Sequence, residues 1–293
     1  MIKYGNLHVD QNYNSSILPN LFYRTFLVPG VTFQDVSTDG NGAWFWHKLT
    51  SSGAAIPGIP GRDFTDEAAA DTLVQATFNN NYQRSKKIYG VQAAAVAMPV
   101  AEEHLALATN EVAEGKNLSA IAALITEGTV SATTTAITKS NFDEMVLKER
   151  QGVVEAKGVA DVILCSPAFF ATMLAYAGSK YTPSTNEKLI AAAAGGQVGN
   201  YLGMTWIEAN GLSSSADIKY YDYSGTLKTV AAADLAKIDF IMYDHNAFGM
   251  GDNFTMARLR DSERFAGTLA QVEDNAAIRV LEGSVVRVRK HAT

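Results

Sequence analysis

The most informative part of this sequence reads Asp161-Val-Ile-Leu-Cys-Ser-Pro167. Val162 to Cys165 form a short apolar run, which is typical of a buried strand. Ser166 is a favourable helix cap and Pro167 suits a first helical turn, so a helix should follow directly. Gly178 is expected to end that helix. The stretch therefore predicts a buried strand that leads at once into a helix.

A second, alanine-rich helix is predicted next, and a glycine-rich segment comes after it. This segment reads Gly196-Gln-Val-Gly-Asn-Tyr-Leu-Gly-Met-Thr-Trp-Ile-Glu-Ala-Asn-Gly-Leu212. Its glycines, with Gly195 before them, predict a loop, and Met204–Glu208 predicts a strand. The whole unit is expected to run strand, helix, helix, glycine loop, strand.

This unit resembles the A domain of tailed-bacteriophage major capsid proteins, through Val162–Phe170 and Gly196–Leu212. Neither segment is a catalytic signature, so the resemblance implies architecture and assembly rather than chemistry. It implies an α+β fold, the phage major capsid protein fold. That fold has an N-terminal arm, an E-loop hairpin, a P domain with a long spine helix, and an A domain.

The resemblance covers nearly the whole chain in order. It implies an N-terminal arm at 1–35, the E-loop and its flanking strands at 36–91, the P-domain spine helix at 92–135, the A domain at 136–250, and closing P-domain strands at 251–293.

The residue patterns agree with this order. Aromatic and β-branched residues predict strands at Ala43–Leu49, Thr72–Phe78 and near Arg84–Val91. Apolar residues at helical spacing predict a helix from Ala101 to Glu127, in which Gly115 would permit a bend or a break.

Later patterns predict a helix opened by a capping box at Ser140–Asp143 and stopped near Lys157-Gly158. Strands are predicted at Ile218–Tyr223, Thr226–Val230, Lys237–Tyr243, Phe254–Leu259 and Ile278–Arg289. In the last of these, Arg287 and Arg289 alternate with valines, which predicts one solvent-facing side.

Two interpretations exist for the apolar residues between Ile17 and Leu27. They could form a helix docked on its own core, or, as the resemblance implies, an arm that clips onto a neighbouring subunit. The resemblance also implies that the E-loop lies across the adjacent subunit, which would supply its unpaired edges with partners. The intersubunit contact candidates from the arm, the E-loop and the glycine segment are Phe22, Phe26, Trp44, Trp46, Ile56, Ile59, Gly199 and Tyr201.

Composition describes an ordered protein that can bury a sizeable core, with 293 residues, 47% apolar and 18% charged. A net charge of -6 argues against a dedicated nucleic-acid reader, although it does not exclude a wall that encloses DNA. Cys165 is the only cysteine, so no intrachain disulfide can form. This is consistent with synthesis in a bacterial host cytoplasm, and neither a signal peptide nor a membrane-spanning stretch is expected.

Chemical alternatives have weaker support. Cys165 could be a nucleophile because it precedes a helix, but its apolar strand favours a buried, structural thiol. The five histidines show no metal-spaced pair, and the glycines form no phosphate-binding motif. Some relatives in the capsid family join subunits by a Lys–Asn isopeptide bond, for which Lys48 and Asn275 are the residues considered.

The sequence thus predicts a structural protein that needs no cofactor or metal. The resemblance implies hexamers and pentamers that form an icosahedral shell around phage double-stranded DNA, without sequence-specific binding. Portal and scaffolding proteins, and a decoration protein, are the further partners it implies, and the virion is the implied location. The alternatives are an encapsulin-like compartment that packages an enzyme cargo and a soluble enzyme that uses Cys165.

Overall fold

The structure is a computed structural model that describes residues 26–35, 43–50, 70–90, 100–180 and 197–291. Its strands are β1 (Gln34–Asp35), β2 (Ala43–Thr50), β3 (Ala70–Thr77), β4 (Asn80–Tyr89), β5 (Thr129–Val130), β6 (Val162–Cys165), β7 (Gln197–Tyr201), β8 (Met204–Glu208), β9 (Ile218–Tyr221), β10 (Leu227–Val230), β11 (Ile238–Tyr243), β12 (Phe248–Asp261), β13 (Gly267–Val280) and β14 (Val286–Lys290). Its helices are α1 (Val100–Glu127), α2 (Phe142–Glu155), α3 (Pro167–Lys180) and the short α4 (Ala232–Leu235).

The predicted strand at Val162–Cys165 lies inside a six-stranded sheet. The strand order is β5-β14-β11-β6-β8-β7, and all four residues of β6 are buried. β6 pairs antiparallel with β11 and parallel with β8. The predicted strand and the helix after it are confirmed, and the Ser166 side chain accepts a hydrogen bond from the Phe169 backbone N–H at 3.3 Å. A strand covered on both faces reads as a continuous apolar run, which explains why the sequence predicted it correctly.

Aromatic side chains fill the space between this sheet and its helices. Phe142 of α2 stacks on Phe169 and Tyr176 of α3, with ring centroids 5.6 and 4.8 Å apart. Trp206 of β8 lies 6.0 Å from the Phe142 ring and is fully buried. Stacked aromatic rings at these distances contribute packing energy beyond their buried area. This cluster attaches α2 and α3 to the sheet.

The second sheet has four strands in the order β1-β12-β13-β4, and α1 packs on one of its faces. Ala108 and Val112 of α1 contact Val272 of β13. Lys116 of α1 binds the carboxylates of Asp252 and Asp274 in this sheet at 2.8 Å each. Glu111 of α1 also pairs with Arg84 and Lys86 of β4, so apolar contacts and two charged clusters hold the helix on the sheet.

α1 confirms the predicted long helix and runs without a break through Gly115. At 28 residues it is about 42 Å long. A Cβ atom on Gly115 would lie 3.2 Å from a ring carbon of Tyr82, so the glycine gives the Tyr82 ring room against the helix. The residues from 119 to 125 are all buried because this half of α1 also contacts β9, β10 and β14.

The range Ile278–Arg289, predicted as one strand, belongs to two strands in different sheets. The chain leaves β13 at Val280, makes a short 3-10 turn, and enters β14 in the other sheet. The Leu281 backbone N–H donates to the Ala247 carbonyl at 2.7 Å, and a Cβ atom on Gly283 would lie 2.4 Å from the Glu127 carbonyl oxygen. The chain must therefore turn closely over the end of α1. β12 begins at Phe248, and β14 joins the six-stranded sheet. The predicted domain bounds stay a prediction.

The predicted solvent-facing side of the last strand is also wrong. Arg289 has no exposed surface. Its guanidinium donates to the carbonyl oxygens of Thr133 and Thr135 and lies 3.5 Å from the Glu149 carboxylate. A buried cation needs such partners because it has lost its hydration. Arg289 therefore fastens the 131–135 segment and α2 to the edge of the sheet.

Several local predictions also need correction. α3 continues through Gly178 to Lys180. α2 has Asn141 at its N-cap without a side-chain cap bond, so Ser140 does not form the expected capping box. The left-handed residue after α2 is Lys157 rather than Gly158. Part of the predicted glycine loop is the strand β7, which turns into β8 through Leu202 and Gly203, both with positive φ.

Candidate assembly surfaces

β2 and β3 form a two-stranded ribbon, named the ribbon below. Their antiparallel register pairs Ala43 with Thr77 and Thr50 with Ala70 over eight residue pairs. Among the described residues, neither outer edge of the ribbon pairs with another strand. The ribbon confirms the strand pair predicted for the E-loop. A two-stranded sheet is marginally stable alone, so the ribbon needs support from elsewhere.

One side of the ribbon base rests on β13. Val74, Ala76 and Phe78 form a small apolar cluster with Ala277 and Leu281. Polar contacts reinforce it, because the Arg279 guanidinium donates to the Gln75 carbonyl and Lys48 forms an ion pair with Glu282. The hydrogen bonds from Lys48 and Ser284 hold the pKa of Glu282 below its usual range. The ribbon is therefore anchored at its base.

None of the described residues covers the other side of β3 at Leu73. Leu73 has 54% of its surface exposed, although it is the direct sequence neighbour of Val74, which has 7%. Adjacent residues of a strand point to opposite faces, so β3 has one face on its own chain and one free face. An exposed leucine on a strand with an open edge is typical of a surface that contacts another chain.

The predicted contact residues fall into different places. Trp44 and Trp46 lie in β2, opposite Ala76 and Val74 in the register. Phe22, Ile56 and Ile59 lie outside the described residues. They remain predictions.

Phe26 is 1% exposed and packs into the main core, and its backbone N–H donates to the Asn117 side chain of α1 at 3.2 Å. It has almost no surface left for a neighbouring subunit. Phe26 and Leu27 are the described residues of this apolar run, so the choice between the two interpretations stays a prediction.

Gly199 and Tyr201 lie in β7, at the edge of the six-stranded sheet. The β7–β8 register shifts between Val198 and Asn200, so Gly199 is the extra residue of a bulge. Bulges are frequent at sheet edges, where they interrupt regular pairing. The two residues are therefore close together at an outer edge, as an intersubunit role requires, although their contacts stay a prediction.

The four-stranded sheet has a face turned away from α1, named the open face below, which the sequence analysis did not single out. Asn80–Tyr89 shows no clear alternation of apolar and polar side chains, so no local pattern reveals this face. Glu273 accepts hydrogen bonds from Asn81 and Gln83 at 2.9 and 3.0 Å. By register, the face consists of Asn81, Gln83, Ser85, Lys87 and Tyr89 on β4, Leu269, Gln271, Glu273 and Asn275 on β13, and Phe254, Met256, Arg258 and Arg260 on β12.

The two residues considered for an isopeptide bond do not meet within the chain. Lys48 pairs with Glu282, whereas the Asn275 side chain donates to Asn253 at 2.9 Å on the open face. A bond between subunits would have to draw both residues from these partners. It stays a prediction.

Comparison with solved structures identifies the fold. The chain matches a protein of Mycobacterium phage Che8 with a TM-score of 0.65 and 14% identity, covering 97% of each chain. It matches a chain in the capsid structure of the cyanophage P-SCSP1u with a TM-score of 0.66 and 12% identity, covering 97% of this chain and 93% of that one. The mature capsid of bacteriophage PhiM1 gives a TM-score of 0.64 and 11% identity, with coverage of 98% and 93%.

The chain has a phage capsid-protein fold. The match extends over nearly the full length of both chains, so the fold class predicted from the sequence is confirmed. No protein-family model matches the chain, and no curated protein matches its sequence significantly. At such low identity the likeness rests on the backbone rather than on shared residues.

Within this capsid fold, the surroundings of Cys165 indicate a packing role rather than a chemical one. Cys165 is fully buried, and burial, followed by the nearby Glu208 carboxylate, raises the pKa of its thiol well above the ordinary value. A protonated, inaccessible thiol is a poor nucleophile. The thiol fills space in β6, which favours the structural interpretation.

The structure does bring three possible metal ligands together, Asp161, Asp244 and His245, within 4.8 Å of one another. This group could not be predicted from the sequence, because its residues come from two segments that are distant along the chain. Asp161 accepts from the His245 backbone and ring, and Asp244 accepts from the Val159 and Asn246 backbone N–H groups at 2.9 Å each. These bonds explain the cluster as a fastening between the ends of β6 and β11.

No helix in the described ranges is long and apolar enough to cross a membrane.

Proposed function

We propose that this chain is the major capsid protein of a tailed bacteriophage. Copies of it would assemble into hexamers and pentamers, and these would tile an icosahedral shell around double-stranded DNA. The protein would have a structural role and no catalytic one. It would be made in the cytoplasm of the bacterial host and would end in the virion.

The observation that carries the proposal is the full-length likeness to chains from phage capsid structures, among them those of the cyanophage P-SCSP1u and bacteriophage PhiM1. The ribbon supports it independently. A two-stranded ribbon that is anchored at one end, with an exposed leucine and open edges, would gain its missing contacts from an adjacent copy.

Assembly of rings would follow from the geometry of contacts between unlike surfaces. A head-to-tail contact closes into a ring when the rotation per subunit fits. The edge of the six-stranded sheet at Gly199 and Tyr201 would contribute to that contact, and the ribbon would lie across the next subunit. Each contact can be weak, because linked contacts multiply in strength.

The proposed partners follow from the same role. A shell needs other copies of this chain first, then a portal and a scaffolding function, and a decoration protein in some cases. The net charge of -6 suits a container whose wall encloses DNA without gripping it or reading its sequence.

Negative-stain electron microscopy of the purified full chain, after size-exclusion chromatography, tests the assembly. Closed shells, tubes, or rings of five or six are the expected products. A compact monomer in which the 51–69 segment resists proteolysis, both alone and after co-expression with a scaffolding protein, would contradict the proposal. Particles from the native host should contain double-stranded DNA, and a protein cargo in its place would contradict a phage shell.

A deletion of residues 54–61 tests the role of the segment that connects β2 to β3, which is part of the proposed E-loop. The subunit should stay folded, because the apolar cluster under the ribbon base is kept, but shells should form poorly. A control variant replaces the same eight residues by a Gly/Ser segment of equal length, which keeps the length and removes Ile56 and Ile59. Normal shells from the deletion variant would contradict the E-loop assignment of this segment.

A further inference from the structure

Three parts of the chain meet at the C-terminal end of α1, at a place named the joint below. Glu127 is the last residue of the helix. Its carboxylate accepts a hydrogen bond from the Val280 backbone N–H at 3.1 Å, at the end of β13. The Tyr220 hydroxyl of β9 lies 3.5 Å from the other carboxylate oxygen. One side chain thus connects the long helix, the four-stranded sheet and the β9–β10 hairpin.

The joint also reaches the base of the ribbon. The Asn80 side chain brackets the Tyr221 backbone, accepting from its N–H at 2.9 Å and donating to its carbonyl at 2.8 Å. The Thr77 hydroxyl donates to the Tyr223 carbonyl at 2.9 Å, and the Arg279 guanidinium lies 3.9 Å from the centre of the Tyr223 ring. A shift of the hairpin would therefore also displace the end of β3.

The surroundings of Glu127 disfavour a charged carboxylate. The C-terminal end of a helix carries partial negative charge, and α1 has no basic residue in its last turn to balance it. Burial raises the pKa of Glu127 to about 7, with a further contribution from Asp222. The Val280 N–H, Arg279 and Tyr220 act in the opposite direction without cancelling the effect of burial. Lys228 is 3.6 Å from Asp222 and neutralises part of that charge.

We propose that the joint is a pH-sensitive hinge, in which protonation of Glu127 determines how firmly the β9–β10 hairpin and the ribbon base are held on α1. The neutral carboxyl group still accepts from Val280 and gains a hydroxyl that can donate to Tyr220. The ionised group keeps the acceptor role but places a buried negative charge beside Asp222.

The direction of the pH effect follows from the linkage between proton binding by Glu127 and closure of the joint. A group whose pKa is raised in the closed joint stabilises that joint fully below its ordinary pKa, and this stability is lost as pH rises through about 7. With an ordinary pKa near 4.5 once the joint opens, the equilibrium constant for opening should rise about tenfold between pH 6 and 8.5. The joint is therefore closed in mild acid and loosens in mild alkali.

Hydrogen-exchange mass spectrometry of the full chain tests the hinge, after correction for the chemical exchange rate at each pH. Protection of residues 218–230 should fall about tenfold from pH 6 to 8.5 in the unchanged chain. Glu127→Gln keeps the shape and the acceptor without the charge, and the fall should shrink to less than twofold. Glu144→Gln is the matched control, an exposed glutamate of α2 outside the joint, and should keep the tenfold fall.

Equal pH dependence in the unchanged chain and in Glu127→Gln would overturn the proposal, and so would constant protection in the unchanged chain. Arg279→Gln gives a second readout that does not depend on the folding of the first variant. Removal of this neighbouring positive charge should move the midpoint of the protection change to higher pH. An unmoved midpoint would also count against Glu127 as the titrating group.

Discussion

The six-stranded sheet and the ribbon are both strand structures, yet they are stabilised in different ways. In the sheet, every residue of β6 is buried, and even Arg289 lies inside with its own carbonyl and carboxylate partners. In the ribbon, Val74 rests on β13 while its neighbour Leu73 is exposed. β6 is covered by its own chain on both faces, whereas the described part of the ribbon rests on its chain at one side. Under the proposed function, a difference of this kind would separate a part that folds the subunit from a part that joins subunits.

The largest effect is expected in the sheet, from Arg289→Met. Loss of the guanidinium leaves the Glu149 carboxylate and two carbonyl groups buried without it, which should cost about 3 to 5 kcal/mol in the free energy of unfolding. Urea unfolding of the unassembled chain measures this loss.

The double variant Arg289→Met with Glu149→Met removes both charges together. It should be at least about 1 kcal/mol more stable than Arg289→Met alone, since no unpaired buried charge remains. A double variant that is less stable than the single one would contradict the account of Arg289 as the partner of Glu149.

A smaller effect is expected at the ribbon base, from Val74→Ala. The change removes two buried methyl groups against Ala277 and Leu281, so about 1 to 2 kcal/mol should be lost. Leu73→Ala is the matched variant on the opposite face and should leave the unfolding free energy within about 0.5 kcal/mol.

The same pair of variants distinguishes the buried and the exposed face of β3 when assembly is measured by sedimentation. Leu73→Ala should lower the yield of large particles although the subunit is as stable as before. If Leu73→Ala assembled normally and Val74→Ala alone were affected, the exposed face of β3 would not be an assembly surface.

The smallest effect is expected from Lys48→Ala, which removes the ion pair with Glu282. The side chains are 45% and 37% exposed, and pairs so accessible to solvent contribute between 0 and about 1 kcal/mol. The pKa of Glu282 should rise toward its ordinary value, which NMR titration can follow. The variant also tests the isopeptide prediction. Covalent ladders on denaturing gels of mature particles would have to disappear in it, and ladders that persist would exclude Lys48.

Much of the fold could be predicted because its signals are local. Four consecutive apolar residues determine β6 wherever they are placed, and the Ser-Pro pair after them begins α3. The strands of the β9–β10 hairpin were predicted at Ile218–Tyr223 and Thr226–Val230, and the length of α1 followed from its apolar spacing. The candidate surfaces were predicted less well. The ribbon was placed correctly, but the open face and the burial of Phe26 were missed, because both depend on what packs against each segment.

The sequence alone therefore determined most of the helices and strands in their order and the identity of the central strand, since periodicity and turn residues act over a few positions. Only the tertiary structure decided that Arg289 is buried, that α1 passes Gly115 without a break, and that the chain turns at Gly283. Arg289 depends on carbonyls 156 and 154 residues away, and Gly115 depends on the ring of Tyr82. Partners so distant along the chain leave no local pattern, and they become neighbours only when the two sheets close on the end of one helix.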